Sequence, residues 1–155
     1  MAGLIVGKLA GLGLVLPPAQ PPVATYVPFV VTGNLVVVSG QLPMVDGKLG
    51  WTGKVGDAVS EADAVRAARQ CLLNVLAQLS VACGGDLDRV ARVVRLGGFI
   101  ACGPAFIRHP AVMNGASDLT VEIFGDSGRH ARSTIGVPSL PLDAPVEIEG
   151  MFEID

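Results

Sequence analysis

Late in the sequence, an arginine stands in a predicted strand whose alternate residues could line a small pocket. The strand is predicted over Ala131–Val137. Because successive side chains point to opposite faces, Arg132, Thr134 and Gly136 share one face. The planar guanidinium suits bidentate capture of a carboxylate, and a hydroxyl and open backbone stand beside it. This face predicts a site for a small anion, although a strand arginine is more commonly a solvated cation.

The opposite face of the same strand carries Ser133, Ile135 and Val137. Two of these three side chains are apolar, and both are strong strand formers. The pattern therefore predicts that this face packs against the protein core.

A second predicted strand, Val146–Ile154, brings carboxylates into the same region. Glu147 and Glu149 point one way along it, and Val146 and Ile148 point the other. If the two strands share a sheet, we expect the Arg132 cation and a carboxylate to converge over one pocket. A surface-strand carboxylate is the alternative, and it fits Glu149 as well as Glu147.

Three stretches resemble the reactive intermediate deaminase family (RidA/YjgF). ARSTIGVPSLP followed by VEIE resembles its C-terminal signature, and TGNLVVVSGQLP over Thr32–Pro43 resembles its Gly-Asn and Ser-Gly-Gln-x-Pro segment. Tyr26 falls where the family has a pocket tyrosine, eight residues before Asn34. The three matches occur in the family's order and cover nearly the whole chain from about residue 23.

The resemblance implies an α+β fold with a chorismate-mutase-like mixed sheet covered by two helices. It also implies a homotrimer whose sheets form a barrel, with sites in the clefts between subunits. In such a site Arg132 would bind the carboxylate of a 2-imine or 2-enamine acid, and Glu147 would position the attacking water. Positioning can supply much of the rate enhancement, so no cofactor, metal or covalent nucleophile is required.

Four further residues receive substrate-binding roles from the resemblance. Thr134 departs from the pattern, since many active members have cysteine there, and its hydroxyl could face the substrate nitrogen. Tyr26 could lie over the substrate from a neighbouring subunit, and Gly40 could lend backbone to the pocket floor. Asp118 is aligned loosely with a helix asparagine of the family. Packing, turn geometry and surface exposure are the alternative roles for all four.

Two helices and a long strand must position these residues. Ser60 predicts the cap of a helix that runs to Gly84-Gly85, because Val65, Leu72 and Leu79 recur at helical spacing. A strand is predicted over about residues 90–102, and its paired glycines at 97 and 98 suggest a bulge or a close backbone approach. A second helix is predicted over residues 110–124.

Composition and charge exclude several classes of function. The net charge is −3 and aromatic residues make up 5% of the chain, whereas a nucleic-acid binder needs a basic face and stacking residues. The three cysteines have no C-x-x-C or histidine partners, so neither zinc nor a disulfide framework is predicted. A reduced, cytoplasmic compartment is the simpler interpretation. The single histidines, His109 and His130, are expected to be structural or surface residues, and a place at the pocket rim is the alternative for His130.

The first 22 residues form a separate N-terminal unit. Residues 1–16 are apolar except for Lys8, and they are shorter than the roughly 20 residues that a spanning helix needs. We expect a helical arm packed on the domain, followed by the proline-rich linker PPAQPP. The family-like domain is predicted over residues 23–155, with no membrane partner.

The resemblance therefore implies an enamine/imine deaminase acting on small carboxylic acids. The alternative is a non-catalytic trimer that binds small carboxylates and senses metabolites. A ribonuclease is a third hypothesis, against which the acidic charge balance speaks.

Overall fold

A computed structural model describes residues 3–22 and 24–155 and shows one mixed sheet with helices on one face. The predicted boundary at residue 23 and the first two residues of the arm lie outside the described residues. The helices are α1 (Leu4–Gly11), α2 (Glu61–Ala82) and α3 (His109–Phe124). The strands are β1 (Phe29–Thr32), β2 (Leu35–Gln41), β3 (Met44–Val45), β4 (Lys48–Leu49), β5 (Val90–Ala101), β6 (Ala131–Val137) and β7 (Val146–Ile154).

Five of the strands form the main sheet, in the order β1-β2-β7-β5-β6. All neighbouring pairs are antiparallel except β5 and β6, which are parallel and are joined through α3. Strands β3 and β4 make a separate hairpin around the predicted Asp46-Gly47 turn. The α+β expectation is confirmed, and β5 separates the two strands that carry Arg132 and Glu147.

Helices α2 and α3 cover one face of the sheet, as their periodicity predicts. The Ser60 side chain accepts a hydrogen bond of 3.1 Å from the Asp63 backbone N–H, which fixes the start of α2. Leu72 and Leu79 from α2 and Ile148 and Phe152 from β7 are fully buried. Full burial of each such side chain contributes about 1.5–3 kcal/mol to stability. The core therefore lies between the helices and one sheet face.

The paired glycines of β5 serve close packing on both faces of the sheet. A side chain at Gly98 would collide with the Met113 sulfur of α3, and a Cβ at Gly97 would lie 2.8 Å from Glu149 Oε1. The predicted close approach is thus confirmed. The irregularities in β5 pairing occur earlier, between residues 90 and 95, so the prediction of a bulge at the glycines is wrong.

The second face of the sheet is not covered by any described helix. Ile135 lies on this face and is 51% exposed, so the prediction that its side of β6 packs into the core is wrong. Strand β6 is an edge strand, and α3 packs against its other face, where Arg132 lies. Phe99 and Met151 also lie on the uncovered face and are partly exposed.

The N-terminal arm is helical and packed on the domain, as predicted. Ile5 and Leu9 of α1 are buried against the core. The Asp88 carboxylate accepts hydrogen bonds from the backbone N–H groups of Leu4 (2.7 Å) and Ile5 (2.8 Å). This carboxylate caps the helix from a distant part of the chain. Among the described residues, no helix is both long enough and apolar enough to cross a membrane.

Candidate functional site

The Arg132 side chain lies between β6 and α3, where two helix residues hold its guanidinium. Arg132 Nη1 donates hydrogen bonds to Asn114 Oδ1 (2.8 Å) and to Ser117 Oγ (3.0 Å). Within the described residues, its Nε and Nη2 atoms make no hydrogen bond. A carboxylate can be bound bidentately through that free edge of the guanidinium.

A short relay of hydrogen bonds fixes the orientation of these groups. His130 Nδ1 lies 2.6 Å from the Gly128 carbonyl, which can only accept, so Nδ1 carries a proton. In the neutral ring, Nε2 then accepts from the Ser117 hydroxyl at 2.9 Å. The Ser117 oxygen in turn accepts from Arg132. His130 therefore supports the arginine through Ser117 and lines the same depression, the less favoured of the two positions that the sequence allowed for it.

These residues form the Arg132 cavity, an open depression of about 360 Å³. It is lined by Asn114, Ser117, Asp118, Val121, Arg129, His130 and Arg132. Asp118 lines the cavity, but the amide that contacts Arg132 belongs to Asn114, one helical turn earlier. The alignment of Asp118 with a helix asparagine of the family stays a prediction, and Asn114 is a second candidate for that position. Asn114 and Asp118 share a helix face, and the sequence holds no signal for which of them lies level with Arg132.

Thr134 contributes a buried hydroxyl to the same face as Arg132. Thr134 pairs in register with Gly98, whose α-carbon faces Met113 of α3, so Thr134 lies on the helix-covered face with Arg132. Its Oγ1 is buried and makes no hydrogen bond within the described residues. An unsatisfied buried hydroxyl costs about 1–3 kcal/mol, and a bound polar group could recover this free energy.

Glu147 lies on the opposite face of the sheet from Arg132. Its register partner in β5 is Phe99, and Phe99 pairs with Ile135 on the uncovered face. The strand β5 also lies between the two residues. The prediction that Arg132 and Glu147 converge within one chain is therefore wrong, and the physical reason is the alternation of side chains across the inserted strand.

Glu147 instead meets Gly40 and the residues around it. A side chain at Gly40 would collide with the Glu147 carboxylate, so only glycine permits their approach. Burial raises the pKa of the Glu147 carboxyl, and the neighbouring Glu149 charge raises it further. Glu147 therefore gains and loses its proton at a pH closer to neutral than an exposed glutamate does.

Gly40 opens into a second depression, the Gly40 cavity, of about 340 Å³. Its walls are mostly apolar and are made by Gln20, Pro21, Pro22, Tyr26, Pro28, Gly40, Gln41, Leu42, Met44, Gly47, Pro141 and Leu142. The structure therefore brings Tyr26 and Gly40 together, with Glu147 beside Gly40. It places Arg132, Thr134 and Asp118 elsewhere.

Gly136, the third residue on the Arg132 face, is exposed and lines a separate depression beside Cys102 and His109. A side chain there would collide with His109 Nε2 and would approach Cys102 Sγ. His109 Nε2 lies 3.4 Å from that sulfur and its ring packs edge-on against Phe106. The described residues contain no cluster of three or more metal-ligating side chains.

Several known proteins are similar to this chain over most of its length. The family described as "YjgF/chorismate_mutase-like, putative endoribonuclease" matches residues 6–152. Protein TCP17 of Trypanosoma cruzi is 42% identical over 99% of this chain and 96% of its own length.

Solved structures show the same architecture. The protein Atu1372 of Agrobacterium tumefaciens is 49% identical, with a TM-score of 0.92 over 98% of this chain and 93% of its own. A "putative endoribonuclease" of Shewanella oneidensis MR-1 is 35% identical, with a TM-score of 0.93 over 97% and 99% of the two chains. The YjgF gene product of Escherichia coli is 26% identical, with a TM-score of 0.64 over 87% and 92%.

Proposed function

The chain belongs to the YjgF/chorismate mutase-like (RidA/YjgF) family, and from this premise we propose that it hydrolyses reactive 2-enamine and 2-imine acids. The products would be 2-oxo acids and ammonia. The observation that carries the proposal is the guanidinium of Arg132, which Asn114 and Ser117 hold through Nη1 alone. The free edge suits the carboxylate that every such substrate carries.

The Arg132 cavity would be the carboxylate-binding half of the site. Thr134 supports this assignment because its buried hydroxyl lacks a partner and lies on the same face. A substrate nitrogen two bonds from the carboxylate carbon could supply that partner. Threonine in place of the family's common cysteine keeps a hydrogen-bonding group at this position.

The Gly40 cavity and Glu147 would form the water-handling half of the site. Since Glu147 and Arg132 lie on opposite faces of one sheet, we propose that the two halves come from neighbouring copies in a homotrimer. The uncovered sheet face, with its exposed Ile135, supports such an assembly because a second copy would bury it. Tyr26 would then lie over a substrate whose carboxylate the neighbouring copy holds.

The chemistry needs one proton carrier and one water. An enamine first becomes its imine, and water then adds to the carbon of the protonated imine while Glu147 accepts a proton from it. That proton passes to the nitrogen of the resulting carbinolamine, the carbon–nitrogen bond breaks as the hydroxyl proton returns to Glu147, and ammonia leaves with a carbonyl behind it. A carboxyl whose pKa is raised by burial suits both directions of this transfer.

Two other functions compete with this proposal. A carboxylate-binding protein without turnover needs the Arg132 cavity but not Glu147. A ribonuclease, the name that the Shewanella relative carries, needs a cationic surface, which a net charge of −3 does not favour. The three cysteines are free and buried, which supports a reduced, cytoplasmic compartment.

The direct test is ammonia release from 2-aminoacrylate generated freshly by a dehydratase. We expect turnover well above the rate in buffer, without added metal or cofactor. A rate equal to that in buffer, together with Arg132-dependent binding of a 2-oxo acid, would leave the binding function alone. Salt-sensitive RNA cleavage without either would favour the ribonuclease.

A further inference from the structure

The Gly40 cavity has a wall that the N-terminal linker supplies and that the core holds in place. Gln78 of α2 is 2% exposed, and its Nε2 donates a 2.6 Å hydrogen bond to the backbone carbonyl of Gln20. Pro21 and Pro22 follow directly and line the cavity. Because proline restricts the backbone, this wall is fixed once Gln20 is anchored.

The remaining walls are also apolar. Leu42, Met44 and Leu142 line the cavity together with the prolines, and Tyr26 lies beside them. The volume of about 340 Å³ falls at the small end of the range of about 300–1,000 Å³ that is usual for small-molecule sites. A substrate whose side chain is only a methyl or methylene group would not fill the cavity. Much of the apolar wall would then stay in contact with water, which is unfavourable.

The cavity adjoins the proposed reacting centre through Gly40. Gly40 lines the cavity and also touches the Glu147 carboxylate, which in the proposed function handles the attacking water. A substrate carbon held next to Glu147 would therefore direct its substituent towards Met44 and the prolines. The carboxylate of the same substrate would point away from this apolar space.

We propose that the Gly40 cavity receives the substrate's side chain, so that the protein prefers 2-imino acids with a large apolar side chain over those derived from small amino acids. This preference rests on the proposed function, since it assigns the cavity to the site of that reaction. The linker residues Pro21 and Pro22 are specificity-determining in this view, because they close the cavity on one side.

The test compares two substrates of the intact protein. The imine of leucine, made in place by an amino-acid oxidase, is compared with 2-aminoacrylate by kcat/KM. We expect the leucine-derived imine to be favoured about tenfold or more, the usual effect of additional buried methylenes. Met44→Gln keeps the length of the side chain and adds a polar end, and it should reduce this ratio about three- to tenfold.

Val45→Thr is the matched control, since Val45 is the next residue of the same hairpin and lines a different depression. It should leave the ratio unchanged. Pro22→Ser is a second test variant, in case Met44→Gln alters folding, and its expected effect has the same direction. Thermal unfolding of each variant checks that the fold is kept.

A binding measurement separates failure of this preference from failure of the reaction. Calorimetry with 4-methyl-2-oxopentanoate and pyruvate should show tighter binding of the branched acid, and Met44→Gln should remove the difference. Tighter binding of the branched acid without any turnover would support the cavity assignment and contradict the proposed reaction. Equal affinities and equal kcat/KM values, or no binding of either acid, would overturn the preference.

Discussion

The Arg132 cavity and the Gly40 cavity differ in almost every physical property. In the first, charged and polar side chains hold one another: Asn114 and Ser117 bind the guanidinium, and His130 supports Ser117. In the second, apolar side chains and prolines surround a glycine, and the half-buried Glu147 carboxylate lies beside it. The first is suited to fixing a charge, and the second to excluding water around a reacting carbon.

The strand order explains why one chain keeps these two regions apart. The strand β5 lies between β6 and β7, and the alternation of side chains sends Arg132 and Glu147 to opposite faces. A ligand that needs both must lie between two copies of the chain. A substitution in one region should therefore leave the structure of the other region intact.

The largest effect is expected from loss of the charge in the Arg132 cavity. Arg132→Ala removes up to two charge-assisted hydrogen bonds to a carboxylate, each of about 1.5–3 kcal/mol, so kcat/KM should fall about 100-fold or more. Arg129→Ala is the control, because Arg129 lines the same cavity but does not contact Asn114 or Ser117 among the described residues. Equal losses in both variants would mean that general positive charge, and not the held guanidinium, binds the substrate.

A comparable loss of activity is expected when Glu147, beside the Gly40 cavity, is changed. The activity that depends on this carboxyl should also vary with pH. Glu147→Gln should reduce kcat about 100-fold, in the range of general acid–base effects. In the unaltered protein, turnover should rise with pH as Glu147 ionises, through a pKa above its ordinary value of 4.5. Glu149→Gln removes a nearby charge that raises this pKa, so the acid limb should move to lower pH while turnover at neutral pH is kept. A pH profile that does not move would separate Glu147 from the reaction.

The effect of Glu147→Gln on the stability of the folded protein should depend on pH in a defined direction. A carboxyl whose pKa is higher in the folded protein favours folding most at low pH, and this contribution is lost as pH rises through the raised pKa. Glu147→Gln should therefore raise the Tm relative to the unaltered protein near pH 7 and leave it unchanged near pH 4.

A smaller effect is expected from the residues that hold Arg132. Asn114→Ala removes one hydrogen bond to the guanidinium, so KM should rise about three- to tenfold with little change in kcat. Asp118→Asn is the matched comparison, because Asp118 lines the same cavity without a hydrogen bond to Arg132 in the described part of the chain. A larger rise in KM for Asp118→Asn than for Asn114→Ala would mean that Asp118, and not Asn114, takes the place of the family's helix asparagine.

The smallest effect on activity is expected far from both regions. Asp88→Ala removes the cap that receives hydrogen bonds from Ile5 and Leu4, and the Tm should fall about 2–6 °C. These bonds hold the pKa of Asp88 below its usual value, so the stabilisation should be present at neutral pH and be lost at acid pH. Asp57→Ala, at an exposed position, serves as control. A change in kcat/KM beyond about twofold would mean that α1 takes part in shaping the site.

The sequence was sufficient for the main helices and for the α+β class of the fold. Periodicity and capping predicted α2 and α3 nearly to their ends, because amphipathic helices carry a long local signal. The strand order carries no such signal, since the insertion of β5 between β6 and β7 depends on tertiary pairing. The sequence also did not predict the exposure of Ile135. An apolar strand face predicts burial, but it does not indicate whether a helix of the same chain or another copy covers that face.

The site shows the same limit at the level of single residues. The motif matches singled out Arg132, Tyr26 and Gly40, since they depend on short, local patterns, and the roles of these residues stay predictions. The matches did not predict Asn114, because the axial position of α3 along β6 decides which helix turn meets the guanidinium. The free edge of Arg132 and the unpaired hydroxyl of Thr134 are visible only in three dimensions.

Complementation between the two regions tests the central claim most directly. Arg132→Ala chains and Glu147→Gln chains, each inactive alone, are co-expressed with different tags and purified as mixed assemblies. If every site of a homotrimer combines the Arg132 cavity of one copy with the Glu147 of its neighbour, each assembly that contains both variants holds one intact site in three, so the purified mixed assemblies should regain about a third of the unaltered turnover. Mixed assemblies with no more ammonia release than the two parent variants would contradict a site shared between copies.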